Sequence, residues 1–529
     1  MKIFVPAFFN RNMPSNNRLI RTSGILLHIS SLPGPYGIGQ LGSAAHDFLD
    51  FLQNSGQKVW QFLPLGPVDA PTSYSPYMSS SAFAGNPLFI SPEFLVEDGL
   101  ISSRILDDVP SFSEYQVEFE RVVPFIARLL EEAFENFLSR PTPDDFHLFC
   151  REHAFWLHDY CLFVTLKAVF GRKAWNEWPE DLARRDKDAL ERAEKVHGKR
   201  IEYHKFVQWL FFRQWQQLKK AAARKDIRLF GDMPIYVAPD SADVWAHQDC
   251  FELDPETLKP LFVAGVPPDY FSRTGQRWGN PIYRWKIGKR PNEALYRWWE
   301  QRLRFTANFM DMVRIDHFRG LQAFWKIPAS EKTAVNGKWV RGPGRYFFER
   351  LRGAMKGLEI VAEDLGTITR PVIRLREELG LAGMKVLIFA FDSDEYNLYL
   401  PHNFEHRNFV VYTGTHDNNT VVGWYLDPSI GEYAKARARR YANSDGNRIH
   451  WDFIRMAYSS VARLAIVPMQ DVLGFGADCR MNLPASTKGN WRWRLAQRFL
   501  TVQVAEELRS EAKFYARLPV GPSPQQAQR

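Results

Sequence analysis

Three carboxylates stand where short apolar runs end. Asp316 closes Met312-Val313-Arg314-Ile315, Glu363 closes Glu359-Ile360-Val361-Ala362, and Asp417 follows Val410-Val411-Tyr412-Thr413-Gly414-Thr415-His416. Runs of this length and β-branched content read as buried strands, so each acid sits at the C-terminal end of a different strand. One such acid is most simply a turn or capping residue. Three of them point to a shared site, because carboxylates held on a rigid frame can divide the work of nucleophile and proton donor. Side chains alternate along a strand, so Arg314 and Asp316 share a face, and the guanidinium can keep Asp316 ionised as a nucleophile requires. Glu363 follows apolar residues, and partial desolvation there raises a carboxyl pKa toward that of a general acid. His317 and His416 adjoin two of the acids and can donate hydrogen bonds to ligand hydroxyls, although lone histidines are more often structural.

Other candidate motifs fail on their own chemistry. Gly37-Ile38-Gly39-Gln40-Leu41-Gly42 has the G-x-G-x-x-G spacing of a dinucleotide site, but the next strand runs through Trp60 to Leu63 and ends in Pro64 with no acid placed for a ribose. These glycines read instead as a turn near a barrel mouth. Asp392, Asp394 and Asn397 lack the Gly and closing Glu of a calcium loop and read as a polar strand end. Cys150, Cys161, Cys250 and Cys479 are sparse and lack zinc-site spacing, so they read as free thiols in a reducing compartment. The expectation is a site without metal or organic cofactor.

The acids need elements to position them. Eight β-rich runs recur along the chain, separated by helical patterning: 24–29, 59–63, 227–232, 312–316, 359–363, 384–391, 409–413 and 464–468. Alternation of this kind argues for βα units around a parallel sheet, and eight is the number that closes a (β/α)8 TIM barrel, with an open doubly wound sheet as the rival. Barrel enzymes assemble their sites at the C-terminal ends of the strands, where these acids lie. The expected domain spans residues 20–505, with inserted subdomains at about 66–226, mainly helical, and at about 238–290, loop-rich in Pro, Gly and Asp. Residues 1–19 and 506–529 read as terminal extensions, the second polar and disordered toward Gly521-Pro522-Ser523-Pro524.

Composition narrows the partners. A chain of 529 residues with 45% hydrophobic and 24% charged residues is an ordinary globular one. Its net charge of +8 raises the question of nucleic acid, but 60 acidic residues are interspersed with the basic ones, so no nucleic acid is expected. No run of about 18 apolar residues suggests a membrane span. The start, Lys2-Ile3-Phe4-Val5-Pro6, makes a poor signal peptide, and cytoplasmic location is expected. Forty Phe, 19 Tyr and 17 Trp are an unusual load; aromatic faces pack against the C–H faces of sugar rings, although most of these will be core.

Longer segments sharpen this picture. Arg314-Ile315-Asp316-His317, Ala362-Glu363-Asp364 and Thr415-His416-Asp417-Asn418 resemble the Asp, Glu, Asp order of the α-amylase clan. Ser75-Pro76-Tyr77, Gly231-Asp232-Met233-Pro234, Gly265-Val266-Pro267-Pro268-Asp269-Tyr270, Gln276-Arg277-Trp278-Gly279-Asn280 and Arg480-Met481-Asn482 are similar to amylomaltases, the 4-α-glucanotransferases of glycoside hydrolase family 77. The likeness runs from about residue 20 to 500 and has the right order. The resemblance implies Asp316 as nucleophile, Glu363 as acid/base and Asp417 as transition-state stabiliser. It implies substrate contacts at Ser75, Tyr77, Asp232, Asp269, Trp278, Arg314, His317, Asp364, His416 and Asn482, with Tyr270 in the same overhanging loop. The implied partners are maltooligosaccharides and α-1,4-glucans, with glucose as an acceptor and a retaining double displacement as the route.

One departure and two rivals accompany the resemblance. The family commonly has Gly where Ala485 follows Pro484; if that Gly uses a positive φ, Ala is expected to reshape the loop. An α-1,4-glucan hydrolase of the amylase type usually carries a C-terminal antiparallel β domain, whereas only about 60 largely helical or polar residues follow the eighth run. A silent glucan-binding scaffold is expected to have lost a carboxylate, and all three are present.

Overall fold

The computed structural model describes residues 21–268, 272–486 and 488–518. Eight strands, β1 (Thr22–Leu26), β2 (Val59–Gln61), β3 (Arg228–Pro234), β4 (Met312–Asp316), β5 (Glu359–Ala362), β6 (Gly383–Val386), β7 (Phe409–Tyr412) and β8 (Leu464–Pro468), lie in the order β5-β4-β3-β2-β1-β8-β7-β6. Every neighbouring pair is parallel. The remaining seam closes between β5 and β6, where Val361 bridges Ala382 and the Ala362 amide donates to the Ala382 carbonyl at 2.8 Å. The sheet is therefore a closed (β/α)8 barrel, and the open-sheet rival falls. Strands β7 and β8 are buried at every residue, as a parallel sheet wrapped by helices requires. The sixth run is shorter than its sequence suggests: β6 stops at Val386 and Leu387–Phe389 turns as a 3₁₀ helix.

Gly39 sits in the turn between β1 and the first barrel helix, Ser43–Asn54, where a Cβ would meet the Ile29 carbonyl oxygen at 1.9 Å. The glycine spacing thus serves backbone packing at the barrel mouth.

Between β2 and β3 the chain runs through four longer helices, Phe119–Leu138, Asp144–Glu152, Ala154–Val169 and Lys187–Arg224. The last has non-helical dihedrals at His197, and its C-terminal half packs on β3 and on Ser43–Asn54. Trp215, fully buried, donates from Nε1 to the Phe309 carbonyl at 3.0 Å. Insertion and barrel therefore share one helix. Most of the aromatic load is spent here and in the barrel wall; of the 17 tryptophans only Trp339 is exposed, at 41%.

The segment read as a loop-rich insertion at 238–290 carries a helix, Ala242–Ala246, the short hairpin strand Lys286–Ile287, and the longer strands Phe262–Val266 and Gln276–Pro281. The longer strands join Ala323–Pro328 and Lys338–Arg341, which follow β4, in a four-stranded antiparallel sheet with Lys338–Arg341 and Gln276–Pro281 at its edges. Its partners come from both sides of β4 in the chain, so no local pattern announces it.

The tail is also more ordered than its polarity suggests. Helix Val502–Phe514 crosses the expected boundary at 505 and buries Ala505, Leu508 and Ala512. Beyond it Arg517 is fully buried, donating to the carbonyls of Tyr458 at 2.9 Å, Thr22 at 2.9 Å, Ala457 at 3.0 Å and Ala462 at 3.1 Å. Gly521 to Gln526 lie outside the described residues. Among the described residues no helix is long and apolar enough to cross a membrane.

Arg517→Ala leaves these carbonyls without donors and is expected to lower unfolding stability by about 3 kcal/mol. Guanidinium unfolding checks this; an unchanged midpoint would mean that water serves the carbonyls equally well.

Candidate active site

Arg314 and Asp316 point the same way from β4, as strand alternation requires, and the guanidinium joins two acids. Its Nη2 donates to Asp316 Oδ1 at 2.8 Å and its Nε to Asp232 Oδ2, from β3, at 2.9 Å. The Asp232 side chain has no exposed surface and that of Arg314 is 5% exposed. Burial pushes the guanidinium down, but the Asp232 and Asp316 charges more than reverse this and raise it well above its ordinary value.

Tyr77 completes the cluster. Its hydroxyl donates to Asp232 Oδ2 at 2.7 Å and accepts from Arg314 Nη2 at 3.2 Å. With its one proton on Asp232, its 2.9 Å contact to His416 Nε2 requires the imidazole to donate, which fixes a proton on Nε2. The two rings stack at 5.2 Å, and Trp491 lies against both. Ser73 and Tyr74 hold left-handed backbone at φ 54° and 59°, and Ser75 Oγ accepts the Tyr77 amide at 3.3 Å. Ser75 thus acts on Tyr77, at the start of the 3₁₀ turn Pro76–Met78.

Asp417 is held from the other side. Asn482 Nδ2 donates to its Oδ1 at 2.6 Å, and His416 Nε2 lies 3.3 Å from its Oδ2. Burial alone pushes this carboxyl up, but His416 and the Asn482 amide outweigh it and bring it well below the usual range. Arg480 ties the two segments by donating to the Asp417 carbonyl at 2.5 Å and the Asn482 carbonyl at 2.6 Å.

Glu363 follows β5. Its Oε2 accepts the His317 amide and its Oε1 the Leu365 amide, both at 2.8 Å. His317 reaches this position in left-handed backbone, φ 52°, a conformation that L residues hold only where surroundings enforce it. Its ring is kept neutral by burial, with a pKa down to about 3, and meets Trp278 edge-on at 4.7 Å. Burial raises Glu363 up to about 7, with the Asp316 charge adding to the shift. Burial also raises Asp316 up to about 6 against the pull of Arg314. The guanidinium lies beside Asp316 as strand alternation requires but is shared with Asp232, so its pull does not outweigh burial. Glu363 holds its proton to higher pH than Asp316, so one can act as an acid while the other is a carboxylate.

The site lies at the C-terminal ends of β3, β4, β5 and β7, and its likeness to known proteins is extensive. The family model described as 4-alpha-glucanotransferase, glycoside hydrolase family 77, matches residues 27–501. The chain belongs to glycoside hydrolase family 77. The 4-alpha-glucanotransferase of Synechocystis sp. is 48% identical over 90% of this chain and 94% of its own, and that of Thermus thermophilus is 46% identical over 94% and 100%. The amylomaltase of Streptococcus agalactiae, solved in complex with acarbose, superposes with a TM-score of 0.90 at 37% identity, covering 94% of this chain and 100% of that one.

Within this family 77 barrel the expected site residues do not all converge. Asp316, Arg314, Asp232, Tyr77, His416, Asp417 and Asn482 form one connected network, and Glu363 with His317 and Trp278 a second one beside it. Asp364 is engaged elsewhere: its oxygens accept Arg376 Nη1 at 2.9 Å and the Met384 amide at 2.8 Å, bracing β5 to β6 at the closing seam. Asp269 and Tyr270 lie outside the described residues. Sequence reasoning did not single out Trp491 or the clamping role of Arg480; the aromatic ring in an otherwise polar stretch was the only available signal for the former.

The Asn482 loop holds Ala485 in a backbone conformation that favours glycine. The backbone there is left-handed at φ 62°, and Asn490 braces the loop by accepting the Leu483 amide at 2.9 Å and donating to the Ser486 carbonyl at 2.8 Å. Alanine therefore carries the strain of that backbone. Ala485→Gly is expected to stabilise the protein by about 1 kcal/mol. Thermal melting reads this directly, and a lower melting temperature would show that unfolded-chain entropy outweighs the relieved strain.

Proposed function

We propose that this chain is a 4-α-glucanotransferase, a disproportionating enzyme that moves segments of α-1,4-glucan to the 4-hydroxyl of an acceptor glucan or of glucose. The observation that carries the reading is the opposed setting of three acids on one barrel rim, with Glu363 raised, Asp417 lowered and Asp316 between them beside Arg314. Asp316 attacks the anomeric carbon while Glu363 gives its proton to the glycosidic oxygen; the bond between them breaks and the reducing-side fragment leaves. A glycosyl ester on Asp316 remains. Glu363, now a carboxylate, takes the proton of the acceptor 4-hydroxyl as that oxygen displaces Asp316, and the two inversions retain configuration. The amides of His317 and Leu365 aim Glu363 throughout. Asp417, ionised at all working pH, stabilises positive charge developing on the sugar ring.

Tyr77, Asp232, His416 and Asn482 line the donor unit around Asp316 and Asp417. Trp278 covers the acceptor and limits access of water. The family description and the names of the relatives favour transfer over hydrolysis. Four free cysteines suit a cytoplasmic protein.

Incubation with maltotriose, followed by chromatography, separates the two outcomes. A ladder of longer glucans with free glucose is expected; glucose and maltose without elongation would make the chain a hydrolase. The same acids set a bell-shaped profile of kcat/KM. Activity falls below about 6 as Asp316 takes up a proton, and above about 7 as Glu363 loses its own. In Glu363→Gln assayed on a glycosyl fluoride, whose leaving group needs little protonation, the alkaline limb is expected to vanish. Its persistence would assign that limb to another group.

A further inference from the structure

Trp339 is the single exposed tryptophan among the 17, and it is not loose. It projects from the edge strand Lys338–Arg341 directly across from Trp325, the two rings meeting edge to face at 5.2 Å. Trp325 is itself fixed, donating from Nε1 to the Ala334 carbonyl at 2.8 Å. The Arg319 guanidinium carbon lies 3.9 Å from the Trp339 ring centroid. That arginine is 7% exposed, and its Nη1 donates to the carbonyl of Thr367. Rigid support on one side of a half-exposed indole leaves a flat apolar surface already ordered for a ligand.

Its place in the fold gives the ligand. Thr367 lies four positions beyond Glu363 in the chain, and Arg319 two beyond His317, whose amide holds Glu363. Trp278 rests on His317 from one edge of the antiparallel sheet and Trp339 on Arg319 from the other. The two indoles bracket the turn after Asp316 on the side of the acid that protonates the leaving oxygen and later receives the acceptor.

We infer that Trp339 is the stacking platform of a remote acceptor subsite for α-1,4-glucan, used by acceptors long enough to pass the unit that reacts. The inference rests on the transferase reading. The Arg319 cation lies against the electron-rich face of the ring and holds the indole in place. The Arg319 bond to Thr367 fixes the platform to the segment that carries Glu363. A glucose acceptor ends before Trp339, whereas a maltotetraose acceptor reaches it.

The test uses the full chain with α-maltosyl fluoride as donor and compares KM for maltotetraose with KM for glucose. In Trp339→Ala that ratio is expected to rise by about five-fold, and Trp339→Phe, which keeps an aromatic face, to restore most of it. A ratio unchanged from the parent, with intact melting, overturns the subsite. So does an equal rise in both constants, which would make Trp339 a prop for the Glu363 segment. A parent that elongates neither acceptor overturns the transferase reading instead. Calorimetric titration of maltotetraose into Asp316→Asn and Asp316→Asn/Trp339→Ala then decides the platform without turnover, equal affinities counting against it.

Discussion

Arg314 holds one positive charge between two carboxylates, Asp232 fully buried and Asp316 half-buried at the rim, and much of the site follows from that shortage. At an effective dielectric of about 20 a close ion pair is worth about 4 kcal/mol, while removing a carboxylate from water costs several kcal/mol per ion. One guanidinium cannot serve both acids equally, and the fully buried Asp232 has the greater need. Asp232, whose side chain has no exposed surface, takes Nε of the guanidinium, a share of Nη2 at 2.9 Å and the Tyr77 proton, and Asp316 is left with the rest of Nη2 and a raised pKa. The unmet part of its demand is what keeps Asp316 reactive, since a fully neutralised carboxylate is a poor nucleophile. Tyr77 carries the same constraint outward. By giving its proton to Asp232 it fixes the donor nitrogen of His416, and His416 in turn helps hold Asp417 ionised.

Such a network tolerates little play, and the barrel supplies the stiffness. Asp232, Arg314 and Asp316 belong to paired strands whose register sets Asp232 opposite Arg314. The weak point is the seam between β5 and β6, joined by a single bridge, and there Asp364, held by the buried Arg376, spans the gap by accepting the Met384 amide. Glu363 precedes Asp364, so the residue that closes the barrel also anchors the neighbour of the proton donor. Asp364 resembles a substrate contact by sequence because the two roles occupy adjacent positions of one strand end.

The readable parts of the chain were those in which local pattern and tertiary demand agree. All eight strands show as short β-rich runs, since a strand buried on both faces has no polar alternation to blur it. The three acids show because each ends such a run. What stayed hidden depends on partners distant in sequence. The antiparallel sheet draws strands from both sides of β4, and its Pro and Gly content disguises Gln276–Pro281 as loop. Helix Val502–Phe514 reads as polar tail because three small or medium residues, Ala505, Leu508 and Ala512, suffice to seat it. The sharing of Arg314 escaped notice because strand alternation shows that Arg314 faces Asp316, but not that Asp232 from β3 competes for the same cation.

The reach of Arg517 to the Thr22 carbonyl brings the two ends of the described chain within one side chain of each other. In a barrel, first and last strands are neighbours, so β1 and β8 pair as closely as any consecutive pair. Topologically the molecule is a ring cut once, and the cut need not fall where it does. A short linker from 518 to 21 would make the backbone continuous across that gap, leaving new ends free to be opened in an exposed loop on the opposite side, with the acids on the rim still carried by the same strands.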